Sequence, residues 1–278
     1  TCNYILTEML GGGKTYATAL AEAQAHGYAE ANPTLDVGGG DSAHKLTILA
    51  SLAFGVDVTL DHVSVEGIDT LDLTDLQAAA ELGYVCKLLA IGQRVDGRIS
   101  LSVAPTFIHK DHPLAKVSGP FNAVSVYGHA VGHTLYYGRG AGMMPTASAV
   151  VADVIDVALG NAGRTFARMR LLGNQTAAAD YVPAAEMVSK YYLRLLAEDR
   201  SGVMAKITRV FADKDISLSG IMQREASASG AGGKVPVVIM THKARRGAMH
   251  QAVAEIRKLD VVADCATCIR VLEEHEEF

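Results

Sequence analysis

Hydrophobic residues recur along this chain at two spacings, one typical of helices and one typical of strands. Residues 41–54 carry leucine and alanine on one helical face, which predicts an amphipathic helix. That face would consist of Leu46, Leu49, Ala50 and Ala53. Residues 99–108 alternate between apolar and polar side chains and predict a strand, which follows a hairpin turn at Asp96 and Gly97.

The remaining pattern of the first half completes an α+β domain. Further helices are predicted over residues 1–25, 74–83 and 147–159, and further strands over 63–68, 84–93, 123–127 and 134–137. Glycines 11–13 should interrupt the first helix. Together these elements predict a mixed or mostly antiparallel sheet with helices packed on one face.

The second half of the chain has a different order of elements. Strands are predicted over 191–197, 216–224, 235–241 and 261–272, and helices over 201–213 and 245–258. This order, βαββαβ, is the ferredoxin-like pattern. The small and polar residues before it predict a linker, so the expected division is a domain at 1–172, a linker at 173–189 and a second domain at 190–278.

Composition narrows the class of protein. The 278 residues include 25 basic and 30 acidic side chains, for a formal net charge of −5, which argues against a nucleic-acid partner. No apolar run is long enough to span a bilayer, so no membrane partner is expected. Four cysteines in a chain of this length do not form a disulfide framework and favour a reducing cytoplasm.

Metal binding is not predicted. Cys265 and Cys268 form a single C-x-x-C in a terminal strand, which is a weak signal by itself. His129 and His133 have the spacing of a zinc pair, but that spacing suits zinc only on a helix, and glycines place these histidines in a turn.

The join between a glycine-rich segment and the predicted helix at 41–54 holds the candidate chemistry. Residues 27–40 are rich in Gly, Pro, Asn and Asp and predict irregular structure. Asp41 stands where a helix N-cap belongs, and Lys45 lies four residues later on the same face. Glu30 and Asp36 bring two more carboxylates to this region.

Two interpretations of this join are open. One is a capped helix with an exposed ion pair, which is a common and weak feature. The other is a site for a small zwitterion, in which carboxylates hold an ammonium group and a lysine handles a proton. Glycines 38–40 favour the second slightly, because glycine allows backbone to come close to a ligand.

A second glycine-rich turn also has two interpretations. Gly140 and Gly142 lead into the predicted helix near Thr146, and such a turn can present backbone N–H groups to an anion. A tight turn that packs the helix against the sheet explains the same residues.

Three ordered motifs resemble one enzyme family. The stretch GYAEANPTLDVGGGDSAHKLTILASLAFG resembles the substrate-binding signature of homoserine dehydrogenase. TCNYILTEM and YYGRGAGMMPTASAVVADVID resemble two other segments of that family. Later, LAEDRSGVMAKITRVFADKDISL resembles the opening of an ACT regulatory domain.

The resemblance implies an activity and a set of roles. The family interconverts aspartate 4-semialdehyde and homoserine with NAD or NADP as the hydride carrier. Lys45 would give a proton to the forming alkoxide, while Asp41 and Glu30 would hold the substrate ammonium. Asp36 would be a second acidic contact to the substrate or a support for Lys45. Gly27 and Tyr28 would approach cofactor and substrate, and Gly142 and Thr146 would lie beside the nicotinamide.

For the second half, the resemblance implies binding of an amino-acid effector such as threonine. The matching positions are Asp199, Gly202 and Val203. An ACT unit that only mediates assembly is the alternative. A homodimer or homotetramer is expected.

The resemblance also implies that the family's nucleotide-binding domain lies outside this chain. The spacing Gly138-x-Gly140-x-Gly142 is not G-x-G-x-x-G, so the cofactor would be bound mainly by the missing N-terminal domain, which would also hold the cation site and a second catalytic lysine. This chain by itself is then expected to be inactive. The alternative to an enzyme is a non-catalytic amino-acid-sensing and dimerisation fragment.

Overall fold

A computed structural model describes residues 1–140, 142–169, 179–223, 234–263 and 266–273. The chain divides into two compact units. The first contains Thr1–Pro105 and His109–Val182, and the second contains Thr106–Ile108 and the chain from Pro183 onward.

The first unit contains seven of the described helices. They are α1 (Cys2–Gly12), α2 (Tyr16–Ala25), α3 (Thr34–Val37), α4 (Gly40–Phe54), α5 (Leu73–Glu81), α6 (Met143–Ala158) and α7 (Asn161–Arg168). The predicted break in the first helix is present, because α1 ends at Gly12 and its C-cap, Gly13, adopts a left-handed φ of 63°. The short helix α3 lies within the segment predicted to be irregular.

A small mixed sheet forms the centre of this unit. Its strands are β1 (Ser64–Val65), β2 (Tyr84–Val95) and β3 (Arg98–His109). Strand β1 pairs with β3 in parallel, and β2 also pairs with β3. The predicted hairpin turn joins β2 to β3, with positive φ at Asp96 and Gly97.

Helix α4 packs on strand β3. Ala43, Leu46 and Ala50 form one cluster with Ile99, Leu101 and Val103. The predicted core face of this helix was partly wrong, because Leu49 and Ala53 are exposed and Ala43 is buried instead. Strand β3 alternates between apolar and polar residues in sequence, but Leu101–Ile108 is buried throughout, polar residues included.

A separate hairpin carries β4 (Phe121–Gly128) and β5 (Gly132–Arg139). These strands pair only with each other among the described strands, forming a two-stranded sheet rather than joining the sheet of β3 as predicted. Stacking of Phe121 on Tyr137, with ring centroids 5.1 Å apart, joins the two strands across their open end.

Helix α6 begins at Met143, four residues earlier than predicted, and its apolar side chains are exposed in this chain. Within the described residues, no single helix is long and apolar enough to cross a membrane. Helices α6 and α7 meet that test only as a pair, with a bend of 83° between them.

The second unit confirms the ferredoxin-like prediction. Its elements are β6 (Val188–Glu198), α8 (Val203–Ala212), β7 (Leu218–Gln223), β8 (Lys234–Thr241), the short β9 (Ala244–Arg245), α9 (Arg246–Ile256) and β10 (Thr267–Val271). The strand order is β10-β6-β8-β7, and these neighbours pair antiparallel. Leucine, valine and isoleucine from both helices and the sheet fill its core.

Two boundaries differ from the sequence prediction. Strand β6 begins at Val188, inside the predicted linker, because this end of the strand pairs with β9. The last residues of β3, Thr106–Ile108, group with the second unit and pair in parallel with β10. Residues 173–178 of the predicted linker, and Cys265, lie outside the described residues.

Candidate active site

The candidate site is built where the chain turns from α2 toward α4. Helix α2 ends at Ala25, and Gly27 follows with a left-handed φ of 71°, which glycine adopts without strain. The backbone N–H of Tyr28 then donates to the carbonyl of Ala23 at 2.8 Å, closing the turn. Gly27 therefore has a structural reason for its identity, besides any approach to a cofactor.

The amino end of α1 lies against this turn. The hydroxyl of Thr1 donates to the carbonyl of Tyr28 and to the carboxylate of Asp36, the second at 3.2 Å. The thiol of Cys2 donates to the backbone carbonyl of Asp36, also at 3.2 Å. These contacts fix the position of Asp36 relative to the turn at Tyr28.

The glycines between Asp36 and Asp41 are required by packing. Gly39 has a φ of 84°, and a Cβ there would lie 3.2 Å from the carbonyl of Glu66. Facing it, a Cβ on Gly67 would lie 2.5 Å from the carbonyl of Val37. The sequence suggested that this glycine run serves a ligand, but the close approach of two backbone segments already explains it.

Helix α4 begins one residue earlier than predicted. Its N-cap is Gly39, so Asp41 lies in the first turn and is not the N-cap. The carboxylate of Asp41 is still favourably placed, because a negative charge near a helix N-terminus interacts well with the helix dipole.

Asp41 and Lys45 form the predicted ion pair. The Nζ of Lys45 donates to the Asp41 carboxylate at 2.6 Å. The side chain of Lys45 is 67% exposed and that of Asp41 is 40% exposed, so the pair adds little to stability. Both groups are accessible to a small molecule.

Two carboxylates act on the same buried group. The pKa of the Cys2 thiol is raised to about 11, mainly by burial; the charges of Asp36 and Asp41 act in the same direction, and the positive amino group of Thr1 acts in the opposite one. Asp36 and Asp41 therefore converge near Cys2. Carboxylates in this region can accept hydrogen bonds from a cation such as the ammonium of an amino acid.

Glu30 and Tyr28 lie on the exposed side of the turn. The side chain of Gln24 donates to the backbone carbonyl of Glu30 at 3.0 Å, which fixes the backbone and leaves the carboxylate at the surface. The ring of Tyr28 packs on Tyr4 with centroids 5.0 Å apart. Sequence analysis did not associate Tyr4 with the site, because the contact joins two distant segments.

Gly142 and Thr146 form a turn of their own. Gly142 is the N-cap of α6, with a φ of 131°, and its carbonyl accepts from the N–H of Thr146 at 3.0 Å. Hydrogen bonds in the described part of the chain do not connect this turn to Asp36 or Asp41.

A further polar network was missed by sequence analysis. Lys87 on β2 is 8% exposed, and its Nζ donates to the side-chain oxygen of Asn3 at 2.8 Å and to the carbonyl of Val117. Burial lowers the pKa of Lys87 to about 8, and Cys86 acts weakly in the opposite direction. The position of Lys87 in an apolar stretch of sequence was the signal that could have indicated a buried, hydrogen-bonded lysine.

The predicted effector positions lie at the start of α8. Gly202 is the N-cap with a φ of 86°, and Val203 is buried as the first helical residue. The carboxylate of exposed Asp199 accepts from the side chain of Gln223 at 2.8 Å, which brings the end of β7 to this position. Gln223 was not predicted. Over the described ranges, no group of three or more His, Cys, Asp or Glu side chains is arranged to hold a metal ion.

Comparison with known proteins identifies the family. The sequence profile of homoserine dehydrogenase matches residues 1–155, which is more than half of the chain and includes every residue of the site around Asp41. The chain belongs to the homoserine dehydrogenase family. The profile of the ACT domain matches residues 191–261, within the second unit.

Similar homoserine dehydrogenases align over nearly the whole chain. The enzyme of Pseudomonas aeruginosa is 44% identical over 274 residues, which are 98% of this chain and 63% of that protein. The enzyme of Bacillus subtilis is 38% identical over 98% of this chain and 62% of its own length. The chain thus spans a little under two thirds of the relatives that it matches.

Solved structures of the same family agree with the fold. A homoserine dehydrogenase from Thiobacillus denitrificans superposes with a TM-score of 0.88 at 42% identity, covering 98% of this chain and 62% of that one. A homoserine dehydrogenase of S. aureus superposes with a TM-score of 0.70 at 28% identity. The predicted family and α+β class with an ACT domain are confirmed.

Proposed function

We propose that this chain is the substrate-binding and regulatory part of a homoserine dehydrogenase, which interconverts L-aspartate 4-semialdehyde and L-homoserine with NAD or NADP. The observation that carries the proposal is the accessible pair of Asp41 and Lys45 at the start of α4, with Asp36 near the same point. It lies inside the segment that matches the family.

The carboxylates and the lysine have different roles in this proposal. Asp41 and Glu30 hold the substrate ammonium, because carboxylates attract a cation and both are accessible to a small molecule. Asp36 is a second acidic contact. Lys45 gives a proton to the oxygen of the aldehyde as it becomes an alkoxide, and takes it back in the oxidative direction. Asp41 also orients the Lys45 ammonium through the hydrogen bond at 2.6 Å.

The nicotinamide cofactor supplies the hydride when bound. Gly27, Gly142 and Thr146 are the residues of this chain that would lie beside it. The amino end of α6 fits that role, because no side chain caps it and its first N–H groups can face a negative group. Most of the cofactor contacts would belong to the family's nucleotide-binding domain, so the 278-residue chain alone is expected to be inactive.

The ACT unit supplies regulation by an amino acid, for which threonine is the proposed effector. Asp199 would bind its ammonium group, while Gly202 and Val203 would place the first N–H groups of α8 near its carboxylate. A cytoplasmic homodimer or homotetramer completes the proposal.

The first experiment is calorimetric titration of the 278-residue chain with homoserine and, separately, with threonine. Homoserine binding that is lost in Asp41→Asn and kept in Asp61→Asn, an exposed acid away from the site, supports the substrate role. If wild-type chain binds no homoserine, the same titration is repeated with the full-length enzyme and bound dinucleotide. Failure there contradicts the proposal.

A second candidate is a non-catalytic amino-acid sensor. The complete βαββαβ unit and the contact of Asp199 with Gln223 favour an effector site that does not depend on the first unit. Threonine binding together with no homoserine binding, even in the full-length protein, would support the sensor instead of the enzyme.

A further inference from the structure

Lys87 is a buried cation that the proposed mechanism does not use. It lies in an apolar stretch of β2, and burying an ammonium group has a large cost unless oxygen atoms surround it. The described residues give its Nζ two oxygen partners, the side chain of Asn3 and the carbonyl of Val117, and neither is a carboxylate. A methionine of similar length would avoid the cost of burying this charge.

The first partner of Lys87 connects two segments that are far apart in sequence. While the oxygen of the Asn3 amide accepts from Lys87, its nitrogen donates to the carbonyls of Gly119 and Phe121, each at 3.1 Å. The positive charge on the oxygen side therefore fixes which way the amide faces. Nearby, the hydroxyl of Thr7 accepts from the N–H of Gly119 at 3.3 Å, so two successive turns of α1 are hydrogen-bonded to the segment at Gly119.

The same end of α1 contacts the candidate site. Thr1 and Cys2 directly precede Asn3, and they donate to Asp36 and to the carbonyl of Tyr28. Because a helical turn is rigid, a shift of Asn3 also shifts these two residues. The position of Asp36 therefore depends on how firmly Asn3 is held.

We propose that Lys87 is a positioning residue for substrate binding: it holds Asn3, and through the amino end of α1 it fixes Asp36 and the turn at Tyr28. This inference rests on the proposed function, because it assigns Lys87 to the same substrate site. Lys87 itself touches neither substrate nor cofactor.

The test measures homoserine oxidation by the full-length enzyme carrying Lys87→Met, Asn3→Ala or both. Lys116→Met is the matched control, since Lys116 is exposed and adjoins Val117. We expect Lys87→Met to raise KM for homoserine about tenfold, with kcat changed less than about threefold and KM for the dinucleotide unchanged. Asn3→Ala should give a similar rise, and the double variant little more than either change alone.

Several outcomes would overturn the inference. A homoserine KM in Lys87→Met equal to that of Lys116→Met is one, and fully additive effects of Lys87→Met and Asn3→Ala are another. Equal changes in both substrates' KM values would indicate general loss of structure instead of positioning. If Lys87→Met does not fold, the KM of Asn3→Ala alone decides.

Hydrogen exchange separates this inference from the proposed function. The amide of Ile5 donates to the carbonyl of Thr1 at 3.1 Å and reports on the amino end of α1. In the 278-residue chain, Lys87→Met should speed its exchange about tenfold or more relative to Lys116→Met. Unchanged exchange at Ile5 in Lys87→Met overturns the Lys87 inference and leaves the proposed function intact. Absence of turnover in the wild-type enzyme contradicts the proposed function, and the role of Lys87 in substrate binding fails with it whatever the exchange at Ile5.

Discussion

Lys45 and Lys87 show how the surroundings of one residue type decide its chemistry. Lys45 lies in solvent beside Asp41, where a small molecule can reach its proton. Lys87 is buried on β2, and its Nζ donates to the side-chain oxygen of Asn3 and to the carbonyl of Val117. The two lysines should therefore respond differently to substitution.

Replacing Lys45 should impair the reaction and leave the fold intact. We expect Lys45→Met to lower kcat of the full-length enzyme by about a hundredfold or more, if Lys45 transfers the proton. The free energy of unfolding should change by less than about 0.5 kcal/mol, because the pair with Asp41 is exposed. Steady-state kinetics and urea unfolding measure the two quantities.

Lys45→Arg is the control for charge. It keeps a cation beside Asp41 but cannot give up a proton at ordinary pH. Its kcat should be as low as that of Lys45→Met. Recovery of more than about a third of the wild-type kcat would show that charge alone is sufficient.

Lys87 should make the stability of the chain depend on pH. Its pKa is about 8 in the folded chain and near 10.5 when solvated. Between these values the unfolded chain binds more protons, so the contribution of Lys87 to the free energy of unfolding rises with pH. Burial raises the pKa of Cys2 and of Tyr16, and these groups have the opposite effect.

The comparison with Lys87→Met isolates this contribution. From about pH 7.5 to about pH 9.5, the free energy of unfolding of wild type minus that of the variant should increase by about 1 kcal/mol or more. Urea unfolding at matched ionic strength measures it. A difference that stays constant over this range would contradict the lowered pKa of Lys87.

Sequence reasoning located one of these lysines and missed the other for a physical reason. The spacing of Asp41 and Lys45 on one helix makes their contact predictable without knowledge of the fold. The partners of Lys87 are 84 and 30 residues away, so only tertiary structure brings them together.

At the scale of elements, local patterns placed most helices and strands and erred where packing decides. Helix α4 begins after Gly39, whose left-handed backbone makes it the N-cap. The sequence pattern had instead indicated Asp41 as the N-cap. The alternation in β3 correctly predicted a strand, but it gave no sign that the polar residues of this strand are buried along with the apolar ones. The β4–β5 hairpin has the expected strands, while its separation from the main sheet has no local signal.

The turn at Gly39 should tolerate no side chain. We expect Gly39→Ala to destabilise the chain by about 2 kcal/mol, from the left-handed backbone and from contact with the carbonyl of Glu66. Gly97 has a similar φ of 81°, but a Cβ there would contact no other atom. Gly97→Ala should therefore lower the free energy of unfolding by about 1 kcal/mol. Gly11→Ala, inside α1 with open space around it, should be neutral or stabilising.

Urea unfolding of these three variants separates strain from contact. A Gly39→Ala variant no less stable than Gly97→Ala would show that close packing does not require this glycine. The glycine run would then be better explained by a ligand than by the fold.

At the scale of the whole molecule, the second unit should bind an amino-acid effector beside Asp199, whose carboxylate accepts a hydrogen bond from Gln223. We expect Asp199→Ala to weaken threonine binding about tenfold or more, because a charged hydrogen-bonding partner of the ligand ammonium is lost. Asp213→Ala, which removes the ion pair with Arg209 at the opposite end of α8, should not change it. Calorimetry on the 278-residue chain measures both, and equal affinities would contradict the assigned position.

The end of strand β3 limits how this protein can be divided. Thr106–Ile108 belong to the second unit, although about 75 residues of the first unit follow them in sequence before Pro183. The N–H of Leu272 donates to the carbonyl of Phe107, and the ring of Phe107 packs on Tyr192. A gene segment that starts at Pro183 would therefore encode all four strands of the ferredoxin-like sheet, but not the three residues that pair with the outer edge of β10. The outer edge of β10 would then carry unpaired backbone N–H and C=O groups, which can hydrogen-bond to an extended segment of another chain, including a second copy of the module. We therefore expect an ACT module moved into another enzyme to keep this edge covered only if Thr106–Ile108 are transferred together with it.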